Sequence, residues 1–180
     1  INTGRSVTVM RGTTKIQGGF ISDSDGEVRA AQSWNAKEDA LNLFVRKKGD
    51  DDWKVIRSIS PKSRESYAFL SFSKENPNEI YVNANMGEDK SGIYRYNIET
   101  GQYSERLFGL KSVDADGILT DKFGNFLGFR YTSKHPKRYF TDESEQALYD
   151  SLEGLFKDKF ITIQSRSDDD NALVVMTMSG

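Results

Sequence analysis

Apolar and polar positions alternate in short runs along most of this chain, and the runs are separated by Gly, Asn, Asp and Ser. That period of two is the signature of half-buried β-strands joined by tight turns. The clearest unit spans residues 92–109. Ile93-Tyr94-Arg95-Tyr96 supplies β-branched and aromatic residues suited to a pleated surface, and residues 103–108 supply a second such run. Between them, Asn97 and Thr100-Gly101 can bond their own backbone or take positive φ, so the chain can reverse there. A lone hairpin is only marginally stable in water, so this one is expected within a larger sheet.

The pattern recurs. At an offset of 50 residues, Leu43-Phe44-Val45-Arg46 matches residues 93–96, Trp53 falls on Tyr103, and Gly49-Asp50-Asp51-Asp52 occupies the turn. A second element, a turn feeding a strand, occurs four times: Asp25-Gly26-Glu27-Val28-Arg29, Pro77-Asn78-Glu79-Ile80-Tyr81, Phe123-Gly124-Asn125-Phe126-Leu127 and Asp169-Asp170-Asn171-Ala172-Leu173. Its first apolar residues, Val28, Ile80, Phe126 and Leu173, are spaced by 52, 46 and 47 residues, close to the roughly 40–50 of a four-stranded propeller blade. The expected fold is all-β: a partial β-propeller of four-stranded antiparallel blades.

Taken in order, residues 1–16 read as an incoming strand or linker, with Val7-Thr8-Val9-Met10 as the strand. Residues 17–60 form blade one, in which Val28, Ala30, Gln32 and Trp34 share one face of a strand. Residues 61–112 form blade two, and 113–157 blade three with an inserted helix. Residues 158–180 supply the first two strands of a further blade. From Asp142 the period turns helical, with Ala147, Leu148, Leu152, Leu155 and Phe156 on one face. A short helix is therefore expected near 143–156, capped by Thr141 or Asp142, with Glu145 completing a capping box.

Composition narrows the function classes. The 180 residues are 36% hydrophobic and 12% aromatic, enough for a packed core. Lys and Arg number 25 against 27 Asp and Glu, so no overall field attracts nucleic acid or an anionic membrane, and neither partner is expected. No apolar run approaches the ~20 residues that span a bilayer, which predicts a soluble chain. Zero cysteines exclude disulfides and thiolate metal sites but do not separate cytoplasm from periplasm. The ends, at Ile1 and directly after an apolar run at 173–178, read as those of a fragment of a longer protein. A partial array of blades leaves apolar sheet faces open, so self-association through those faces is expected.

Several of these motifs together resemble a known family. The segments Asp25-Gly26-Glu27-Val28-Arg29, Trp53, Ile93-Tyr94-Arg95-Tyr96-Asn97 with Thr100-Gly101, Gly128-Phe129-Arg130-Tyr131, and Ile163-Gln164-Ser165-Arg166-Ser167-Asp168 leading to Leu173-Val174-Val175 are similar to the N-terminal β-propeller of prolyl oligopeptidase family serine peptidases. The order of elements, with a helix between the Gly128-to-Tyr131 strand and the Ser165-to-Asp168 turn, resembles the acylaminoacyl-peptidase-like branch. The resemblance implies a non-catalytic propeller that restricts substrate access to an α/β-hydrolase domain following it in the parent chain, with peptides as the parent's substrates. That domain is absent here, since no Gly-x-Ser-x-Gly elbow occurs. Nor is there a pair of glutamates on a short helix of the kind that dipeptidyl-cleaving members use to hold a free amine.

No catalytic residue is therefore assigned. His135, the one histidine, has no sequence-near serine or acid arranged as a triad and reads as a surface residue of a strand connection. Asp23-Ser24-Asp25-Gly26 and Asp168-Asp169-Asp170-Asn171 are oxygen-rich turns, but neither has the closing glutamate of a calcium loop, so no metal and no cofactor is expected. The arginines, Arg138 among them, are scattered rather than clustered. Arg95 and Arg130 stand out as substrate-contact candidates because each sits between aromatic residues of a strand, where a guanidinium can meet a structural or a peptide carboxylate. A stand-alone interaction scaffold of the same architecture is the competing expectation. A carbohydrate-binding propeller using exposed tryptophan or tyrosine is a third.

Overall fold

The computed structural model describes residues 7–169 and 171–179. Thirteen strands and one helix are found among them: β1 (Ile21–Ser22), β2 (Val28–Asn35), β3 (Ala40–Val45), β4 (Lys54–Ile59), β5 (Tyr67–Phe72), β6 (Glu79–Ala84), β7 (Gly92–Asn97), β8 (Phe108–Gly109), β9 (Ala115–Thr120), β10 (Phe126–Thr132), β11 (Pro136–Phe140), α1 (Glu143–Leu155), β12 (Lys159–Arg166) and β13 (Leu173–Ser179). They pair in sequence order into four antiparallel sheets, β1-β2-β3-β4, β5-β6-β7-β8, β9-β10-β11 and β12-β13. The all-β expectation is met. The first two sheets have four strands each, although β8 is only two residues long; the third has three strands followed by the helix, and the fourth has two. The expected incoming strand at residues 7–10 is absent. Val7 and Val9 are exposed there, and Ile16 is the first buried residue of the described chain.

Turn chemistry sets each hairpin. After β1, Asp23 Oδ1 accepts from the backbone N–H of Asp25 and of Glu27, both at 3.0 Å, while Gly26 takes φ 84°. After β9 the same geometry returns: Asp121 Oδ1 accepts from Phe123 and Asn125, both at 2.8 Å, and Gly124 takes φ 81°. Ser73 with Asn76, and Ser167 with Asp169, hold the other two turns of this kind, although Asp170 lies outside the described residues. Of the carboxylates that looked like calcium ligands, Asp23 and Asp169 accept from backbone N–H groups, and Asp25 and Asp168 pair with Lys48 and Lys122. Among the described residues, no group of three or more His, Cys, Asp or Glu is placed to hold a metal ion.

These turns make acid stability predictable. Hydrogen bonds from Ser167 and Asn171 hold Asp169 down at about 2. At Asp142 the bonds from the Ser144 hydroxyl and the Glu145 and Ser144 amides lower the carboxyl. At Asp121, burial works against ionisation but the bonds from Asn125 and Phe123 outweigh it. A carboxyl whose folded pKa is depressed contributes stability that is complete above its unfolded value near 3.8 and lost as pH falls through the folded value. The urea midpoint should therefore be flat from neutral pH to about 4 and fall between about 4 and 2. In a D121N/D142N/D169N variant that fall should be visibly shallower, and an unchanged slope would remove these turns from the explanation.

The sheets stack face to face. Ala30, Leu43 and Val45 of the first sheet meet Phe69, Ile80, Val82, Tyr94 and Tyr96 of the second in the largest buried cluster. The other face of the second sheet, with Tyr81 and Ile93, packs on Ala115 and Phe129 of the third. Ring contacts reinforce that second interface: Phe108 stacks on Phe129 at 4.7 Å and Tyr81 on Phe126 at 5.4 Å. The outer face of the first sheet is covered by its own chain, as Ile16, Phe20 and Trp53 lie against Ala31 and Phe44. Aromatic side chains thus serve mainly as packing, the exceptions including Trp34, 46% exposed, and Phe123, 64% exposed.

Two sequence expectations shift here. Second strands begin at Val28, Glu79, Phe126 and Leu173, which are 51, 47 and 47 residues apart. The spacing of 52 between Val28 and Ile80 is even, yet an even spacing reverses the face: Ala30 faces the following sheet and Ile80 the preceding one, whereas Tyr81, 51 residues after Ala30, faces the following sheet. The face of β2 is likewise covered only at its start, since Val28 and Ala30 are buried while Gln32 and Trp34 are exposed.

Asp142 alone is the N-cap of α1, accepting from Ser144 N at 2.9 Å and Glu145 N at 3.0 Å. Glu145 does not close a capping box; its carboxylate forms a two-pronged pair with Arg166 at 2.6 and 2.8 Å. Tyr149 is the helix's buried anchor, set against Phe140 and Ile161, with Leu152 and Phe156 beside it, whereas Ala147 and Leu155 are exposed. Gly154 has nothing within 4 Å of where a Cβ would stand. Gly154→Ala should therefore stabilise the protein by about 0.5–1 kcal/mol through helix propensity. A loss measured by urea denaturation would show that this turn is not helical in solution.

Candidate functional site

The two arginines singled out by sequence lie in different sheets. Arg95 stands on β7 opposite Tyr81, with Nη1 3.1 Å from the Glu79 carboxylate of β6. Its charge is met within its own sheet. Arg130 stands on β10 between Gly117 of β9 and Arg138 of β11. Its guanidinium lies over Gly117, where a Cβ would be 3.1 Å from Nε.

Arg138 is the residue that sequence reading passed over. It is Arg130's direct cross-strand partner, which puts both side chains on one face with Cβ atoms about 4.5–5.5 Å apart. Opposed like charges on a strand pair are unfavourable, and neither arginine forms an ion pair among the described residues. The sequence held one usable signal: a hairpin closing at Ser133-Lys134-His135 pairs positions 130 and 138.

Arg138 lines a cleft of about 610 Å³ between the third sheet, the N-terminal half of α1 and the fourth sheet. Leu119, Leu127, Phe140 and Ile163 supply apolar walls, and Gln164 and Ser165 supply polar edges. Three cations and three carboxylates border it, but they are not equally available. Lys122 pairs with Asp168 and Arg166 with Glu145. The Asp121 carboxylate accepts from Phe123, Asn125 and the Asn125 side chain. Arg138 is the half-buried cation left without such a partner among the described residues.

A second hollow, of about 520 Å³, lies at the opposite end of the helix and includes His135, Lys137, Tyr149, Glu153 and Phe160. His135 is exposed and tilts against the Phe160 ring at 4.1 Å, and Lys137 pairs with Glu153 at 3.1 Å. No serine is among the described residues that line that hollow. Among the described residues, no helix is long and apolar enough to cross a membrane. Comparison with protein-family models, curated proteins and solved structures finds no match to this chain.

Proposed function

We propose that the stacked sheets are successive blades of a β-propeller, and that this segment is the non-catalytic, access-restricting part of a prolyl oligopeptidase-like serine peptidase whose α/β-hydrolase domain lies outside this chain. The observation that carries the reading is the repeated unit itself. Second strands recur every 47–51 residues, each behind an Asp- or Ser-held turn, and each sheet buries its face against the next. The helix following the third strand of the third sheet agrees with the order of elements in the acylaminoacyl-peptidase-like branch. In this role the segment docks on the hydrolase domain and narrows the route by which peptides reach it; Arg95 and Arg130 are its candidate contacts to substrate.

The test is on the native protein. An antibody to this segment should reveal a band several-fold larger than 20.4 kDa that also takes a fluorophosphonate probe. A native band near 20.4 kDa would sink the peptidase reading, as would peptide hydrolysis by this chain alone that survives His135→Ala. A second reading, an interaction scaffold with no hydrolase attached, is favoured by one feature. Val174, Met176 and Met178 on alternate positions of β13 are 58%, 41% and 47% exposed, an apolar face of the kind that partners or second copies cover.

A further inference from the structure

We propose that the cleft between the third sheet, α1 and the fourth sheet binds a carboxylate carried on an apolar group, with Arg138 as its anchor. The inference does not depend on an attached hydrolase. It rests on an unusual placement of charge. A guanidinium loses hydration when half-buried, and structures normally repay that with a carboxylate. Here every acid bordering the cleft already serves another partner: Asp121 the turn amides, Glu145 Arg166, and Asp168 Lys122.

Nor is there an acid across the strand pair, since the direct partner of Arg138 on β10 is Arg130. The class of ligand follows from the walls. Phe140, Leu119, Leu127 and Ile163 offer an apolar surface for a hydrocarbon or aromatic group, while one unmatched cation in the cleft suits a monoanion. A planar guanidinium meets a carboxylate through two parallel N–H donors, a geometry that a carboxamide cannot match. A peptide's C-terminal carboxylate behind an apolar side chain and a short fatty acid share this chemistry.

Calorimetric titration of the 180-residue chain decides the matter, using N-acetyl-leucyl-phenylalanine, its C-terminal amide, octanoate and inorganic phosphate as probes. At least one of the two carboxylates should saturate the chain at roughly millimolar concentrations or below, and tighter binding of one over the other assigns the peptide or the lipid source. The amide should bind at least about tenfold more weakly than the peptide acid if the peptide is the better ligand. Arg138→Gln should weaken the better carboxylate by at least about tenfold, with circular dichroism showing the fold intact. If Arg138→Gln does not fold, the comparison of acid with amide, together with a ligand-induced shift of the Arg138 Nε–H resonance in the unaltered protein, stands in its place. Saturation by neither carboxylate, equal binding of acid and amide, undiminished binding by a folded Arg138→Gln, or equally tight binding of phosphate would overturn the proposal.

Discussion

Ile80→Ala is expected to destabilise the protein by about 3–5 kcal/mol, the upper part of the range for deleting a buried isoleucine side chain. Ile80 is fully buried and lies between Phe72 of β5 and Tyr96 of β7 in the register of the second sheet. Its face packs on Ala30, Leu43 and Val45 of the first sheet. All of these neighbours belong to strands whose backbones are fixed by ladder hydrogen bonds, so the space left by the alanine cannot close by a small local shift, and the cavity adds to the lost transfer free energy. Urea denaturation followed by tyrosine and tryptophan fluorescence measures it. A loss below about 1 kcal/mol would mean that the first two sheets do not share a close-packed interface.

Gly128→Ala should cost about 3 kcal/mol or more, for a different reason. Gly128 pairs with Phe140 across β10 and β11, and a Cβ there would run into the carbonyl oxygen of Tyr139 and stand 2.9 Å from the Cα of Phe140. Both obstacles are backbone, so no rotamer change relieves the clash and the two strands must separate. Phe140 would be displaced with them, and it forms the floor on which Tyr149 of α1 and Ile161 of β12 rest. The substitution should therefore also disturb the docking of the helix and loosen the cleft. Wild-type stability in this variant, or loss of stability with α1 still protected from hydrogen exchange, would argue against Gly128 as the point where sheet and helix are coupled.

What could be read from the sequence was local. Strand positions followed from alternation of apolar and polar residues, the hairpin at Asn97 from a side chain that accepts from the amides of Glu99 and Thr100, and the helix from its change of period. Each depends on residues within a few positions of one another, so a linear reading suffices. The aspartates at 23 and 169 were recognised as turn residues for the same reason.

Tertiary structure decided everything that joins distant segments. The even spacing of Val28 and Ile80 suggested equivalent positions, yet stacking puts Ala30 and Ile80 face to face across one interface. A strand's two faces are equivalent until a neighbouring sheet covers one of them. Only the approach of β6 told Arg95 to serve Glu79, and only the joint register of β10 and β11 with the approach of α1 and β12 made Arg138 the unmatched cation of a cleft. Charge neutralisation and burial are properties of what comes near in space. A sequence lists which side chains are available for that purpose, whereas the fold selects which carboxylate meets which guanidinium.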